Sequence, residues 1–328
     1  MMQNADINLG SPCNNHCLFC SNGDPKARGG GWIALAEVEQ ELADYAGKGF
    51  LSLGLLGGEP SIYPELEQVL RFARKLGFQR IALCSNGAKL GDEAQLDRWL
   101  DAGLNRVALS VHSHQAALEA RITQRKGALA QKLSAIRALV RARDSGRLEH
   151  GLSLNTVLHR KLLPHAEDFV SFYRDLGIQD FRFNTIRPEH KVLGDRDWVP
   201  PLDELTSVLR VLAAINESSW SVHMTFADLP WCAWPWEILG SPALRERYAG
   251  ESWDLETEVT LFRPDQPSES ERFAWRSQRV SRLKTKIARC QGCKLNSTCE
   301  GLWIRHLEIY GPGELEAGPN RVAAALSS

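Results

Sequence analysis

Ala5-Asp-Ile-Asn-Leu9-Gly-Ser-Pro-Cys13-Asn-Asn-His-Cys17-Leu-Phe-Cys20 runs from a β-like stretch straight into three cysteines, spaced by three residues and then by two. That spacing lets one loop turn three thiolates toward a single iron–sulfur cluster, leaving one iron of a four-iron cluster without a protein ligand. A purely electron-carrying [4Fe–4S] centre normally has a cysteine on every iron, so the vacancy is a place for chemistry.

Short β-like runs recur outward from this loop, each followed by a helical pattern: Ala5 to Leu9, Leu51 to Leu56, Arg80 to Cys84, Arg106 to Val111, Leu152 to Val157 and Phe181 to Ile186. Between them lie amphipathic segments with apolar residues at helical spacing: Ala34 to Lys48, Pro64 to Leu76, Asp92 to Ala102, Gln115 to Arg143 and His165 to Leu176. Pro64 and Asp92 signal helix starts, and Gly77 and Gly103 signal ends. Strands alternating with helices predict an α/β fold, a parallel sheet with right-handed crossovers closing fully or partly into a TIM-like barrel. In such a fold, functional residues belong on loops leaving the C-terminal strand ends. The cysteine loop follows the first strand, Gly57-Gly58-Glu59-Pro60 the second, Ser85-Asn86-Gly87 the third and Ser110-Val-His112-Ser the fourth, with Asn155 near the end of the fifth.

With CxxxCxxC after the first strand, GGEP after the second and SNG after the third, the chain resembles the radical S-adenosylmethionine (radical SAM) superfamily over residues 1 to about 190. The resemblance implies a partial (β/α)6 barrel. It also implies a [4Fe–4S] cluster on Cys13, Cys17 and Cys20 whose open iron chelates the amine and carboxylate of SAM. One electron then cleaves SAM, and the 5′-deoxyadenosyl radical removes a hydrogen atom from carbon, the cofactor carrying the chemistry while the protein positions it. A flavodoxin- or ferredoxin-type donor would supply the electron. Glycines permit close backbone approach to a ligand, and by resemblance Gly57, Gly58, Glu59 and Pro60 hold the SAM amine. Ser85, Asn86, Ser110 and Asn155 are placed for the ribose or carboxylate, Phe19 for the adenine, and Arg121 or Arg125 for the carboxylate. Read alone, GGEP and Asn86-Gly87 are turn signals, and each Ser or Asn suits a turn or cap equally. Joint occurrence in order favours the cofactor site, and a zinc site at the three cysteines would leave GGEP and SNG unexplained.

A second cysteine group, Cys290-Gln-Gly-Cys293-Lys-Leu-Asn-Ser-Thr-Cys299, is similar to the last ligand segment of SPASM and Twitch extensions, which hold auxiliary [4Fe–4S] clusters. Trp303 stands where a complete SPASM segment has a further cysteine, so a second auxiliary cluster is not implied. Cys232, in Asp228-Leu-Pro-Trp-Cys232-Ala-Trp-Pro-Trp236, is the remaining cysteine of this part and is expected as fourth ligand. A structural zinc knot is the alternative, because four cysteines with a CxxC pair suit tetrahedral zinc. Cys84 is then spare, expected as a small buried hydrophobe. His112 and His114 face either structure or substrate, and Trp231, Trp234 and Trp236 either pack the core or stack on a ring.

After about Pro188 the pattern changes: eight of the ten tryptophans lie beyond it, with turn-rich stretches at Asp195 to Pro201 and Phe262 to Ser270. The expected division is a radical SAM core over 1–190 and an auxiliary-cluster extension over 191–328. The 328 residues suffice for a large core, burying roughly three quarters of the unfolded chain's surface. Lys+Arg is 39 against Asp+Glu 40 without long blocks, which argues against a nucleic-acid or anionic-membrane partner. No apolar run reaches the roughly 18 residues of a membrane span and no secretion signal opens the chain, so a cytoplasmic location is expected. Eight cysteines in 328 residues are few for a disulfide scaffold, and the seven in motif-like spacings read first, in a reducing compartment, as metal or cluster ligands.

Enzyme is preferred over an iron–sulfur carrier or zinc protein, because a carrier would not need the SAM loops. The expected reaction is an oxidoreductase-type hydrogen abstraction from a small polar metabolite, leading to oxidation, epimerisation or rearrangement. A start of the first strand near residue 5 leaves no room for a leader-binding domain and tilts toward the small molecule. The alternative is a maturase acting on a ribosomally made peptide or protein.

Overall fold

The computed structural model describes residues 3–20, 22–23, 30–250, 256–263, 266–316 and 318–326. The chain forms two compact units, one of Met1–Asn155, Tyr173–Ile178 and Leu255–Arg276, the other of Thr156–Phe172, Gln179–Asp254 and Ser277–Ser328.

In the first unit, strands β1 (Gln3–Asn8), β2 (Ser52–Leu56), β3 (Arg80–Ser85), β4 (Arg106–Ser110) and the start of β5 (Leu152–Leu158) pair in sequence order, all parallel. The register sets Ala5 beside Leu53, Leu53 beside Ile81, Leu83 beside Val107 and Leu109 beside Leu154. Alternate side chains therefore separate. Ala5, Ile7, Leu53, Leu55, Ile81, Leu83, Val107, Leu109, Leu152 and Leu154 are buried, as a helix-covered sheet face requires. The opposite alternation carries Asn4, Asp6, Asn8, Ser52, Arg80, Cys84, Ser110, Ser153 and Asn155, and Asn4 hydrogen-bonds Asp6 and Ser52 at 2.7 Å each. The other face is thus polar, the reverse of a filled apolar barrel interior.

Helices α1 (Leu35–Gly47), α2 (Leu66–Lys75) and α3 (Glu93–Ala102) follow their strands. Asp92 caps α3, accepting from Gln95 N at 3.1 Å, and Gly103 ends it at φ 121°. The Gln115 to Arg143 stretch is not one helix. Gln124 at φ 56° and Gly127 at φ 75° take left-handed backbone and split it into α4 (Ala116–Thr123) and α5 (Ala128–Asp144).

The stretch read as turn-rich from Phe262 to Ser270 is instead part of a hairpin, β8 (Glu256–Arg263) and β9 (Gln266–Ala274), with the intervening residues outside the described ones. β8 lies parallel to β1, with Ala5 beside Glu258 and Ile7 beside Thr260. Local polarity loses here because β1 would otherwise expose a row of unpaired backbone groups. Arg272 of β9 fastens the hairpin to α1 through Glu41 and Asp44, both at 2.8 Å, and Thr260 Oγ1 donates to Glu41 at 3.1 Å.

In the second unit, β6 (Asp180–Thr185) and β7 (His223–Ala227) are parallel, with Phe181 beside Met224. Phe181, Phe183, Phe226 and Tyr248 form an aromatic core, Phe183 stacking on Phe226 at 5.4 Å. Helix α6 (Leu202–Ile215) buries Leu205, Leu209 and Leu212. Buried Lys284 binds Asp228 at 2.9 Å and Glu300 at 2.8 Å, and Arg279 binds the other oxygen of Glu300 at 2.8 Å. Among the described residues no helix is long and apolar enough to cross a membrane.

Candidate active site

Cys13, Cys17 and Cys20 lie on the loop leaving β1. The β2 loop grips its start: Gly58 N donates to Gly10 O at 2.8 Å and Glu59 N to Pro12 O at 2.9 Å. Gly58 has to be glycine at this joint, since a Cβ would stand 2.1 Å from Pro12 O and 2.5 Å from Ser11 O. The middle of the loop is held by the end of α4, with His16 N donating to Thr123 O at 3.0 Å and Leu18 N to Ile122 O at 2.9 Å. Burial pushes the Cys17 thiol up to about 12; Lys132 opposes this, while Cys20 and Cys13 add to it.

Glu59 is buried, at 1% exposure, and its carboxylate accepts from Ser85 Oγ at 2.5 Å, Asn86 N at 2.7 Å and Ser61 N at 3.0 Å. Burial raises it above the ordinary carboxylate range, and these donors pull it back. Ser85 Oγ also accepts from Gly87 N at 3.0 Å. Glu59 and Ser85 are thus spent on bracing one loop against the other, while Pro60 opens the short turn Pro60–Ile62. Asn86 turns toward the cysteines: its amide nitrogen donates to Asn14 at 2.8 Å and lies 3.8 Å from Cys13 Sγ. Its buried Oδ1 has no hydrogen-bond partner, as expected where a polar ligand completes a site.

Phe19 meets His112 edge-on, ring centres 5.0 Å apart. Ser110 and Asn155 are register partners on β4 and β5. Both hydrogen-bond the Cys84 thiol, which burial pushes up to about 11. Cys84 therefore sits among polar strand-end groups rather than in an apolar pocket, and alternation along β3 was the available signal. Two features escape sequence reasoning: Asn22 donates to Gly57 O at 2.7 Å, and the buried carboxylate of Glu119 is paired with Lys132.

In the second unit, Cys232, Cys290, Cys293 and Cys299 line one pocket with Pro230, Trp231, Lys286, Asn296 and Leu315. Cys232 stands on the turn Trp231–Ala233, and burial pushes its thiol up to about 12, with Cys299, Cys290 and Cys293 close enough to add to the shift. Gly301 N donates to Cys299 Sγ at 3.4 Å. The buried Asn296 Oδ1 has no partner. Among the described residues no three His, Cys, Asp or Glu side chains are grouped closely enough to hold one metal ion directly; the four thiols line one pocket, and soft thiolates are the donors a cluster takes. Of the nearby tryptophans, Trp234 is buried against Phe226, Trp231 borders the cavity and Trp236 is 60% exposed.

A parallel α/β sheet whose strand ends gather three cysteines, a glycine-rich joint and an unsatisfied asparagine defines a cofactor-dependent iron–sulfur enzyme. The chain belongs to the radical SAM superfamily, whose family model matches residues 7–172, and this enzyme family works with a [4Fe–4S] cluster and SAM. It is 29% identical over 164 residues to PqqA peptide cyclase of Rhodopseudomonas palustris, spanning 50% of this chain and 41% of that protein. It is 26% identical over 188 residues to a probable GTP 3′,8-cyclase of Saccharolobus solfataricus, spanning 57% and 58%. The chain thus covers less than two thirds of the length of these relatives. Similar solved structures include anSMEcpe with AdoMet and the Kp18Cys peptide (TM-score 0.64, 14% identity, 99% of both chains). Another is Streptococcus suis SuiB bound to precursor peptide SuiA (TM-score 0.64, 16% identity, 94% of this chain, 73% of that one). At these identities the likeness establishes the fold: an α/β partial barrel of the radical SAM type.

Proposed function

We propose that the protein modifies a side chain of a peptide or protein, in preference to the small polar metabolite expected at first. The observation that carries this is the match to proteins named PqqA peptide cyclase from three organisms, Rhodopseudomonas palustris, Methylobacterium nodulans and Gluconobacter oxydans. The likeness to the GTP cyclase keeps a small-molecule substrate as the second reading.

In this reading Cys13, Cys17 and Cys20 hold the first cluster, and Gly57, Gly58 and Pro60 form the wall beside it. Asn86, Ser110, Asn155 and Phe19 lie toward SAM, and Glu59 and Ser85 fix that wall by binding each other. Cluster and SAM together supply one-electron cleavage of SAM and a carbon radical that removes hydrogen from substrate. Cys232, Cys290, Cys293 and Cys299 hold an auxiliary [4Fe–4S] cluster for the electron that follows, and a flavodoxin- or ferredoxin-type protein is the outside donor. Functionally the core comprises residues 1–190 and the auxiliary-cluster extension 191–328.

Anaerobic reconstitution should load about eight irons per chain. With dithionite, the loaded enzyme is then offered SAM and three substrate sets: synthetic peptides with Ser, Cys, Tyr and Glu side chains, GTP, and simple sugars. Substrate-dependent 5′-deoxyadenosine release with a mass change in a peptide supports the proposal. GTP or sugar turnover with inert peptides overturns it, and about four irons plus one zinc would replace the auxiliary cluster by a zinc knot.

A further inference from the structure

We propose that the buried Glu119–Lys132 ion pair is a positioning device that sets the cysteine loop in its ligand-ready shape. The inference rests on Cys13, Cys17 and Cys20 being the cluster ligands, and is independent of the substrate class.

Glu119 and Lys132 are 0% and 2% exposed. Burying two charges costs more solvation than their attraction commonly returns, and an apolar pair would join α4 to α5 at least as well. What an apolar pair could not do is accept a hydrogen bond. One oxygen of Glu119 meets Lys132 and the other accepts from His112 N at 3.1 Å. Glu119 therefore fixes three segments at once: α4, α5 and the loop after β4.

Two of those segments reach the cysteine loop. One helical turn beyond Glu119, Thr123 Oγ1 donates back to Glu119 O at 2.8 Å, and Gln124 then ends the helix in left-handed backbone. The last carbonyls of a helix have no partner within it. Here those of Ile122 and Thr123 receive Leu18 N and His16 N, the two amides that flank Cys17. On the other arm, the ring of His112 meets Phe19 at 5.0 Å, next to Cys20. The pair thus brackets Cys17 from both directions. Lys132 also lies near enough to Cys17 to act on its thiol electrostatically.

The test uses the whole 328-residue chain, read by amide hydrogen exchange at His16 and Leu18 before reconstitution and by iron loss to a chelator afterwards. Glu119→Leu/Lys132→Met keeps the packing apolar and avoids a lone buried charge. It should unfold cooperatively like the parent, yet exchange the two amides and lose iron at least tenfold faster. Glu119→Gln/Lys132→Met retains an acceptor for His112 N and should recover most of both. Parent-like exchange and iron retention in the Leu/Met variant would overturn the proposal, as would equal acceleration of every amide in α4, α5 and β4, which marks a stability effect alone. Cys17→Ser separates the two claims: it should lose iron while Leu18 N stays protected. Full iron retention there would refute the ligand assignment, leaving the exchange result to judge the loop.

Discussion

Replacing Gly58 by alanine loads the joint between the β2 loop and the cysteine loop. The new Cβ would stand 2.1 Å from Pro12 O, about 1.3 Å inside ordinary contact, and Ser11 O at 2.5 Å closes the alternative direction. Both obstacles are backbone, so one loop must retreat by roughly that distance. A retreat on the order of 1 Å carries the Gly58–Gly10 and Glu59–Pro12 hydrogen bonds, now 2.8 and 2.9 Å, past the usual N–H···O range. Two such bonds are worth about 0.5–1.5 kcal/mol each and overpacking adds about 1–3 kcal/mol, giving a loss of about 2–6 kcal/mol. Urea unfolding followed by circular dichroism reads this as a lower midpoint at unchanged slope, and 5′-deoxyadenosine release should fall with it. Gly31→Ala, where a Cβ meets nothing within 4 Å, is the matched control and should stay within about 0.5 kcal/mol. A Gly58→Ala protein as stable as that control, with SAM cleavage intact, would refute the reasoning.

Cys232→Ala should leave the auxiliary cluster on three thiolates, so that it loses iron to a chelator faster than the parent while uncoupled SAM cleavage stays in place; a parent-like rate of iron loss would strike Cys232 from the ligand set. Glu300 supplies a pH dependence. Burial alone would raise its carboxyl, but Lys284 and Arg279 hold it below the ordinary range. Its stabilisation is therefore present above the unfolded value of about 4.3 and is lost as pH falls through the lower folded value. The urea midpoint should drop over that interval, and Glu300→Gln should be weaker at pH 7 by about 3 kcal/mol and flatter below pH 4.5; an unchanged slope would exclude Glu300 as the titrating group.

Much of the fold was legible because it is local. The six βα repeats and the glycine and aspartate punctuation follow from periodicity and capping, and the three strand-end motifs are contiguous in sequence. Distant pairings were not legible. The β8–β9 hairpin reads as turn because its residues are polar, and only the open side of β1 makes it a strand. Glu119 and Lys132 look like solvated helix charges until α4 and α5 fold against each other. Glu59 stands out within GGEP, but that its carboxylate takes donors from Ser61, Ser85 and Asn86 depends on loops that only the fold brings together. Cys232 lies 58 residues before Cys290, and it was reached by counting cysteines rather than by any spacing rule.

The β8 pairing also sets an order of events during synthesis. Ala5 and Glu258 are neighbours in the sheet, yet about 250 residues separate them in the chain. At roughly 5–20 residues per second, the outer side of β1 stays bare for on the order of ten to fifty seconds after it leaves the ribosome. During that interval a flat strand edge is open to other chains, and the contact that covers it has a long loop to close. A fragment of this chain ending at residue 172, where the family match stops, would keep that edge bare permanently. For expression, low temperature and added chaperones should therefore raise the folded yield on grounds of topology as well as of iron chemistry.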